Sequence, residues 1–389
     1  MKLDILHSLE EIPSLEWNSL DGTANPFLRH EFLAALERHG AVSHRTGWIP
    51  NHLILYDDHG LAAAAPVYRK LHSWGEFVFD FAWADAYQRY GMEYYPKLVC
   101  AVPYTPATGP RVLVRPGLDR LAAVSELAKW AQTLIRGEHL SSAHWLFLEP
   151  NTARILASAG YSIRLGCQYH WSNAGYGSFE AFLAELSSKK RKSIRRERRR
   201  VMEAGIEFRT YAGHEVPADL WRSFHRFYLN TFHAHGNIPL LSLGFFREIG
   251  ERLRSRVILV EAQRRGRAIA AALYLRSQTT LYGRYWGDNG EIHDGLHFET
   301  CYYQGIDYCI REGLRLFESG AQGEHKIARG FLPTPTYSCH LLRDRRFRLA
   351  VDDFLRQERK GIEVYIRERT REGPFRLDAL ERIQLAGGR

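Results

Sequence analysis

The chain has 389 residues, 45% of them hydrophobic and 25% charged, with a formal net charge of +9. That length exceeds one compact core and points to two domains, and the composition excludes a disordered chain. Five scattered cysteines (Cys100, Cys167, Cys301, Cys309, Cys339) show no C-x-x-C spacing, which excludes a disulfide framework or structural zinc and fits a reducing compartment. The start, MKLDILHSLEEIPS, carries charges where a signal peptide needs an apolar run, and no apolar stretch nears ~20 residues. The expectation is a soluble, cytoplasmic protein without integral membrane contact. Aromatic residues at 13% can line grooves as well as cores.

In chain order, HLILYDDHGLAAAAPVYRK (His52 to Lys70) reads as a β-hairpin: an apolar strand, a turn holding Gly60, and a small-residue return. A third strand, GEFVFDFAWAD, is expected next. A helix-like stretch, AYQRYGMEYYPKLVCAV, follows from Ala86, and PRVLV closes the unit. A long amphipathic helix from Leu118 to Leu140, the strand HWLFLEP, the helix TARILASAG and the strand YSIRLGCQYHW complete the first half. Gly and Asn interrupt both periodicities at Asn173–Gly177, so the domains are expected at 1–175 and 176–389.

The second half opens with the helix SFEAFLAELSS, which Ser178 can cap. The run KKRKSIRRERRR, Lys189 to Arg200, then holds nine Lys or Arg and one Glu, +8 against +9 for the whole chain. Ser187 or Ser188 can start a helix here and Gly205 can end it, with Ile194 and Val201 on one side. A second hairpin, RVILVEAQRRGRAIAAALYLRS from Arg256 to Ser277, is followed by the strand TTLYGRYWGD, a helix from Gly295 and the strand LRLFESG. Hairpin, strand, helix and strand thus occur twice, the mark of a duplicated α/β unit. A charged helical tail from about Arg345 to Glu372 ends the pattern.

This order of elements, with LHFETCYYQGIDYCIREGLRLFESG, resembles the tandem GNAT fold of the Fem-type transferases. HSWGEFVFD, YYPKL, VPYTPATGPR and GAQGEHKIARGFLPTPTYS are similar to the Fem-like predicted N-acyltransferases of peptidoglycan biosynthesis or recognition, over about residues 15–370. The resemblance implies an α/β (α+β) protein of two GNAT-like domains, each a mixed sheet flanked by helices. It implies an N-acyltransferase moving an aminoacyl group from aminoacyl-tRNA to an amine of a peptidoglycan-precursor-like acceptor, with no cofactor. The alternatives are an acyl-coenzyme A donor, or a non-catalytic module binding peptidoglycan or nucleic acid. The first unit offers QRYGME, Gln88 to Glu93, where coenzyme A-dependent relatives carry [QR]-x-x-G-x-[GA]; Glu93 at its last position sets a negative side chain beside phosphates.

Attack of an amine on an activated carbonyl needs a proton acceptor, an oxyanion donor and a groove. On strand alternation, Glu76 and Asp80 share one face of an aromatic strand, as a base or amine-binding pair or as a paired structural face. His297 and Glu299 lie in the first turn of the helix after Gly295, where Glu also suits the helix dipole; Tyr303 lies a turn further on. The segment GAQGEHKIARG sits at a strand's C-terminal end, where open α/β sheets place ligands. There Glu324 or His325 is the candidate base, with Gln322, Lys326 and Arg329 as substrate contacts, and Tyr337 in PTPTYS as a donor or stacking surface. Arg284 and Trp286 are candidate tunnel walls. Tyr95, Lys97 and Arg111 are possible ligands in the first unit. Eighteen histidines include no H-E-x-x-H, so no metal is expected. In the basic run, Lys189, Lys190, Arg191, Lys192 and Arg195 are expected to meet phosphates, of a tRNA or a diphosphate-linked acceptor, as a docking surface rather than the reacting centre. A solvated surface helix is the competing reading of that run, nothing else in the sequence supports a nuclear address, and the oligomeric state stays open.

Overall fold

The computed structural model describes residues 2–291, 293–321, 323–376 and 379–383. The chain forms two compact units. One holds Met1–Cys167 with Pro335–Ile366, the other Gln168–Thr334 with the chain from Arg367.

In the first unit, β1 (Lys2–Leu6), α1 (Ser14–Asn18) and α2 (His30–Arg38) lead to β2 (Trp48–Pro50), β3 (His52–Asp57), β4 (Gly60–Ala65) and β5 (Val67–Lys70). The expected hairpin is β3–β4, with Leu53 opposite Ala65. Pro66, which has no N–H for a ladder, marks a change of sheet. Strand β4 pairs with β3 and β5 with β2. There follow α3 (Phe81–Arg89), β6 (Lys97–Cys100), β7 (Leu113–Val114), α4 (Arg120–Gly137), β8 (Ser142–Leu148), α5 (Pro150–Ser158) and β9 (Ser162–Ser172). Val124, Leu127, Ala128, Ala131 and Ile135 form the apolar stripe of α4 and pack on Leu53, Leu55, Leu98 and Trp145.

Two expectations fail in this unit. GEFVFDFAWAD is a loop running into α3, not a strand. Gly75 and Phe77 adopt positive φ, +83° and +61°, and the Asp80 carbonyl accepts from the Trp83 and Ala84 N–H groups to open the helix. The stretch from Ala86 is helical only to Arg89. Gly91, at φ +68°, and Pro96 stop it, and Lys97–Cys100 pairs with β5 and β8 instead.

In the second unit, α6 (Phe179–Ala184) is capped by the Ser178 side chain, which accepts from the Ala181 N–H. The basic run becomes α7 (Ser188–Glu203), followed by β10 (Ile206–Ala212), α8 (Ala218–Ala234) and α9 (Leu243–Leu253). The second hairpin is β11 (Val257–Arg264) and β12 (Arg267–Arg276), with β13 (Thr280–Asp288) beside it. Then α10 (Leu296–Phe298) passes through a π-helical turn, Glu299–Tyr303, into α11 (Gln304–Arg311) and β14 (Leu316–Glu318). Strand β14 lies parallel to β13, so the helix is the crossover that such a pair requires. The start of α10 and the loop after β14 therefore emerge at the same, C-terminal, ends of neighbouring strands. Last in the chain come β15 (Leu332–Leu342) and α12 (Arg345–Arg371), most of whose residues return to the first unit.

Residues 335–366 fall in the first unit, whereas the sequence pattern assigned everything after 175 to the second. The cause is local pairing. Tyr337–Leu342 of β15 runs antiparallel to β8, and Val351 and Leu355 of α12 pack on Trp83, Tyr87 and Tyr94.

Candidate active site

In the second unit, β13 carries Arg284 and Trp286, and the crossover helix brings His297 against Trp286, edge to face at 4.7 Å. The π turn gives each of its side chains a different task. Glu299 is buried and receives Arg198 Nε and Nη2 at 3.1–3.2 Å and Gln304 Nε2 at 2.8 Å. Thr300 bonds back to the Leu296 carbonyl. Cys301 Sγ lies 3.6 Å from His297 Nδ1. The Tyr302 hydroxyl lies 3.0 Å from His325 Nε2. The buried Tyr303 donates its hydroxyl hydrogen to Glu197. A π turn supports such convergence because its wider spacing re-aims successive side chains.

The loop after β14 supplies the rest. Gly323, at φ +115°, would clash with the His325 ring if it carried a Cβ, so glycine is required there. Glu324 and His325 are exposed. Lys326 is buried, and its ammonium donates to the Ser319 and Gly320 carbonyls at 3.0 Å each. Arg329 donates to the His325 carbonyl at 2.8 Å, and its guanidinium carbon lies over Phe298, 3.3 Å from the ring centroid. Gln322 lies outside the described residues.

The electrostatics follow from burial and the cations. Burial, then Lys326 and Arg329, hold the His325 pKa below 6.5. Burial, then His325, Arg329 and Lys326, take His297 down to about 4. Burial lowers Lys326 to about 8 and raises Tyr302 and Tyr303 well above the ordinary phenol. Burial raises Glu299, with Arg198 and Gln304 opposing it. The cluster thus presents a neutral imidazole at neutral pH, bonded to a protonated phenol, at an edge open to solvent.

Glu76 and Asp80, expected on one face of a strand, lie instead in a sealed network of the first unit. Lys97 Nζ, wholly buried, donates to Ser73 Oγ at 2.9 Å, Glu76 Oε2 at 2.9 Å and Asp80 Oδ2 at 2.5 Å. The Tyr94 hydroxyl also donates to Asp80, and His144 pairs with His340 through their Nδ1 atoms at 2.6 Å. Burial would raise Asp80, but Lys97, His144 and the hydrogen bonds pull it below the carboxylate range; burial takes Glu76 up to about 7. Both carboxylates are at most 3% exposed and face Lys97, which removes the ground for a catalytic Asp80 or a substrate-binding Glu76. Tyr95 bonds Ser73 at 2.8 Å. Arg111 is buried and donates to the Leu146 and Ala107 carbonyls. Tyr337 packs on the first unit's core opposite Leu148. All of these belong to the first unit, and His325 to the second.

A family model described as peptidoglycan biosynthesis/recognition matches residues 8–377. The chain belongs to the FemAB-like family. Solved structures agree in fold. FemX is 11% identical and aligns over 90% of this chain and 100% of its own, at a TM-score of 0.55. The C-terminal domain of a putative lysylphosphatidylglycerol synthetase from Agrobacterium fabrum is 13% identical over 83% and 90%, at 0.52. L-PGS from Bacillus licheniformis is 10% identical over 86% and 96%, at 0.50. No curated protein sequence matches the chain. Such a likeness establishes the fold, with sheets flanked by helices, and membership of the family points to an acyltransferase.

In this FemAB-like chain the basic helix α7 has two sides. Ile194 and Val201 are buried as expected. Of the expected phosphate contacts, Lys189 and Lys192 are exposed and Lys190 half-exposed, while Arg191 reaches the Ala184 carbonyl and Arg195 pairs with Glu180. Glu197 and Arg198 turn inward to Arg329, Tyr303 and Glu299. The sequence reading missed these two, although Ile194, Glu197, Arg198 and Val201 stand at i, i+3, i+4 and i+7, the spacing of one buried face. It also missed Tyr302, which nothing in the sequence separates from its aromatic neighbours. QRYGME lies at the C-terminus of α3, where the N–H groups of Tyr90, Gly91 and Met92 are already bonded to the carbonyls of residues 86–88. A phosphate cradle needs free N–H groups at a helix start. Among the described residues, no helix is long and apolar enough to cross a membrane.

Proposed function

We propose that the chain transfers an aminoacyl group from a charged tRNA to an amine acceptor of the peptidoglycan-precursor kind, with His325 taking up the proton. The observation that carries this is the Tyr302–His325 pair: a neutral imidazole, 3.0 Å from a phenol kept protonated by burial, at an open edge of the second unit. The incoming amine attacks the ester carbonyl. Its proton passes to the Tyr302 oxygen as the Tyr302 proton passes to His325 Nε2, and collapse of the tetrahedral adduct breaks the carbon–oxygen bond to the ribose and expels its alkoxide, which takes the proton from His325. Trp286, His297 and Phe298 wall the site, and Arg284 lies on the same strand. Lys326, bonded to two carbonyls, fixes the loop.

The exposed cations of α7 support a polyanionic donor, because cations along one helix side repel one another unless phosphates meet them. The occupied N–H groups after α3 count against a coenzyme A pyrophosphate site there. Kinship in fold with a lysylphosphatidylglycerol synthetase accords with an aminoacyl rather than an acetyl group.

The test measures transfer of radiolabelled amino acids from a charged bulk tRNA pool to a stem pentapeptide with a free side-chain amine. The expected result is transfer by the wild type that His325→Ala abolishes and Tyr302→Phe reduces. Undiminished transfer by His325→Ala, or tight acetyl-coenzyme A binding with no affinity for tRNA, overturns the reading.

A further inference from the structure

The single acid of the basic run is the residue best connected to the candidate site. Lys189, Lys192, Arg196 and Arg199 recur at steps of three and four and are exposed, so they form a stripe along the solvent side of α7. Glu197 and Arg198 belong to the other side. Glu197 takes the Tyr303 hydroxyl and both of its oxygens receive Arg329 Nη2, at 3.1 and 3.2 Å. Arg329 in turn holds the His325 carbonyl and covers Phe298, whose ring lies 5.8 Å from the His325 imidazole. Tyr303 is the chain neighbour of Tyr302, whose hydroxyl holds the His325 ring. His325 is therefore fixed at two points, its backbone through Arg329 and its ring through Tyr302. Glu197 bonds Arg329 directly and Tyr303, the chain neighbour of Tyr302, as well.

We propose that Glu197 is a positioning residue for His325, so that the helix which docks the donor on one side sets the proton acceptor from the other. This rests on the reading of His325 as that acceptor. Three features carry it. The Arg329 guanidinium is a planar fork, and one nitrogen is committed to the carboxylate while another is committed to the His325 carbonyl, which fixes its plane as well as its place. The Arg329 guanidinium carbon also sits 3.3 Å from the Phe298 ring centroid, so the ring packs against it. Tyr302 and Tyr303 are carried by the same π turn, so the Tyr303–Glu197 bond anchors the backbone from which Tyr302 reaches His325. An ion pair that served stability alone would need none of these links to a histidine.

The experiment compares Glu197→Gln with the wild type in three readings: kcat and KM for charged tRNA, tRNA affinity over a salt series, and the His325 imidazole ¹⁵N resonances, assigned by their loss in His325→Gln. A misplacement of about 1 Å costs on the order of 10²-fold in rate, so kcat is expected to fall by about that factor. The tRNA salt slope stays that of the wild type, because the carboxylate faces inward, and the imidazole resonances move. Arg329→Lys, which keeps the charge but loses the fork, moves kcat and the resonances in the same way. Tyr303→Phe, which loses only the hydroxyl, does so to a smaller degree. These two carry the reading should Glu197→Gln fail to fold. A kcat within twofold of the wild type with unmoved resonances, in whichever of the three variants folds, overturns the proposal, even if thermal stability falls. If His325→Ala turns over normally, the assignment of the acceptor fails, and the resonances alone then decide whether Glu197 positions this ring.

Discussion

The two units hold nearly the same chemical inventory and use it in opposite ways. The first collects Glu76, Asp80, Lys97, Tyr94, His144 and His340, all buried, with the lysine satisfied by two carboxylates and a serine. The second collects Glu299, Lys326, Tyr302, His297 and His325, where the lysine donates to the Ser319 and Gly320 carbonyls and one imidazole reaches solvent. Burial takes His144 down to about 3, so it stays neutral at any physiological pH, enclosed and without access to a substrate. His325 is also held below the ordinary value, by burial and by Lys326 and Arg329, but it stays reachable from solvent. Residue type alone does not make a site. A group that turns protons over needs both an intermediate pKa and an open edge.

That contrast can be broken at several points. Lys97→Met leaves two buried carboxylates without their cation, and the expected loss of stability is about 3–5 kcal/mol, read as a lowered urea midpoint. A variant that unfolds at the wild-type midpoint would show that the network is not load-sharing. Arg198→Ala frees the buried Glu299, at an expected cost of about 1–3 kcal/mol, and lowers the transfer rate as well; unchanged stability would mean that water replaces the guanidinium.

Stability against pH sharpens the comparison further. Glu76 rises from an ordinary 4.5 to about 7 on folding. The folded state therefore binds the extra proton between those values, and the contribution of Glu76 to stability declines as pH rises from 4.5 through about 7. Glu76→Gln is expected to remove that decline, and an identical pH profile for the two proteins would contradict it. The smallest effect concerns the docking side of α7. Changing Lys189 and Lys192 together to Ala should shallow the salt slope of tRNA binding by roughly one per lost phosphate contact, and an unaltered slope would move the docking surface elsewhere.

Much of the fold was legible because hairpins and amphipathic helices announce themselves by period. Both hairpins, α4, α7, the crossover helix and the closing strand β14 stand where the pattern put them. HSWGEFVFDF was misread because its alternation is real but serves a loop: Phe77 and Phe79 are 38% and 43% exposed while Glu76 and Asp80 turn in to Lys97, a partner that arrives from a distant strand. The halves of the site differed likewise. His297, Tyr303, His325 and Lys326 lay in two stretches whose neighbourhood the parallel β13–β14 crossover guarantees. Glu197 was hidden by its surroundings, since nine cations make one acid look like dilution. Only its place on the side of Ile194 and Val201 marks it as inward. Tyr337 fell outside the cluster because β15 carries it into the ladder with β8.

The central claim is that acyl transfer belongs to the open cluster and that the sealed one is structural. Transfer per folded molecule, measured side by side for His325→Ala and Lys97→Met below both unfolding midpoints, tests it most directly. The account predicts a His325→Ala protein as stable as the wild type with its rate reduced about 10²–10⁴-fold, and a destabilised Lys97→Met protein with its rate retained. Retained transfer in His325→Ala with lost transfer in folded Lys97→Met would contradict it and move the chemistry to the first unit.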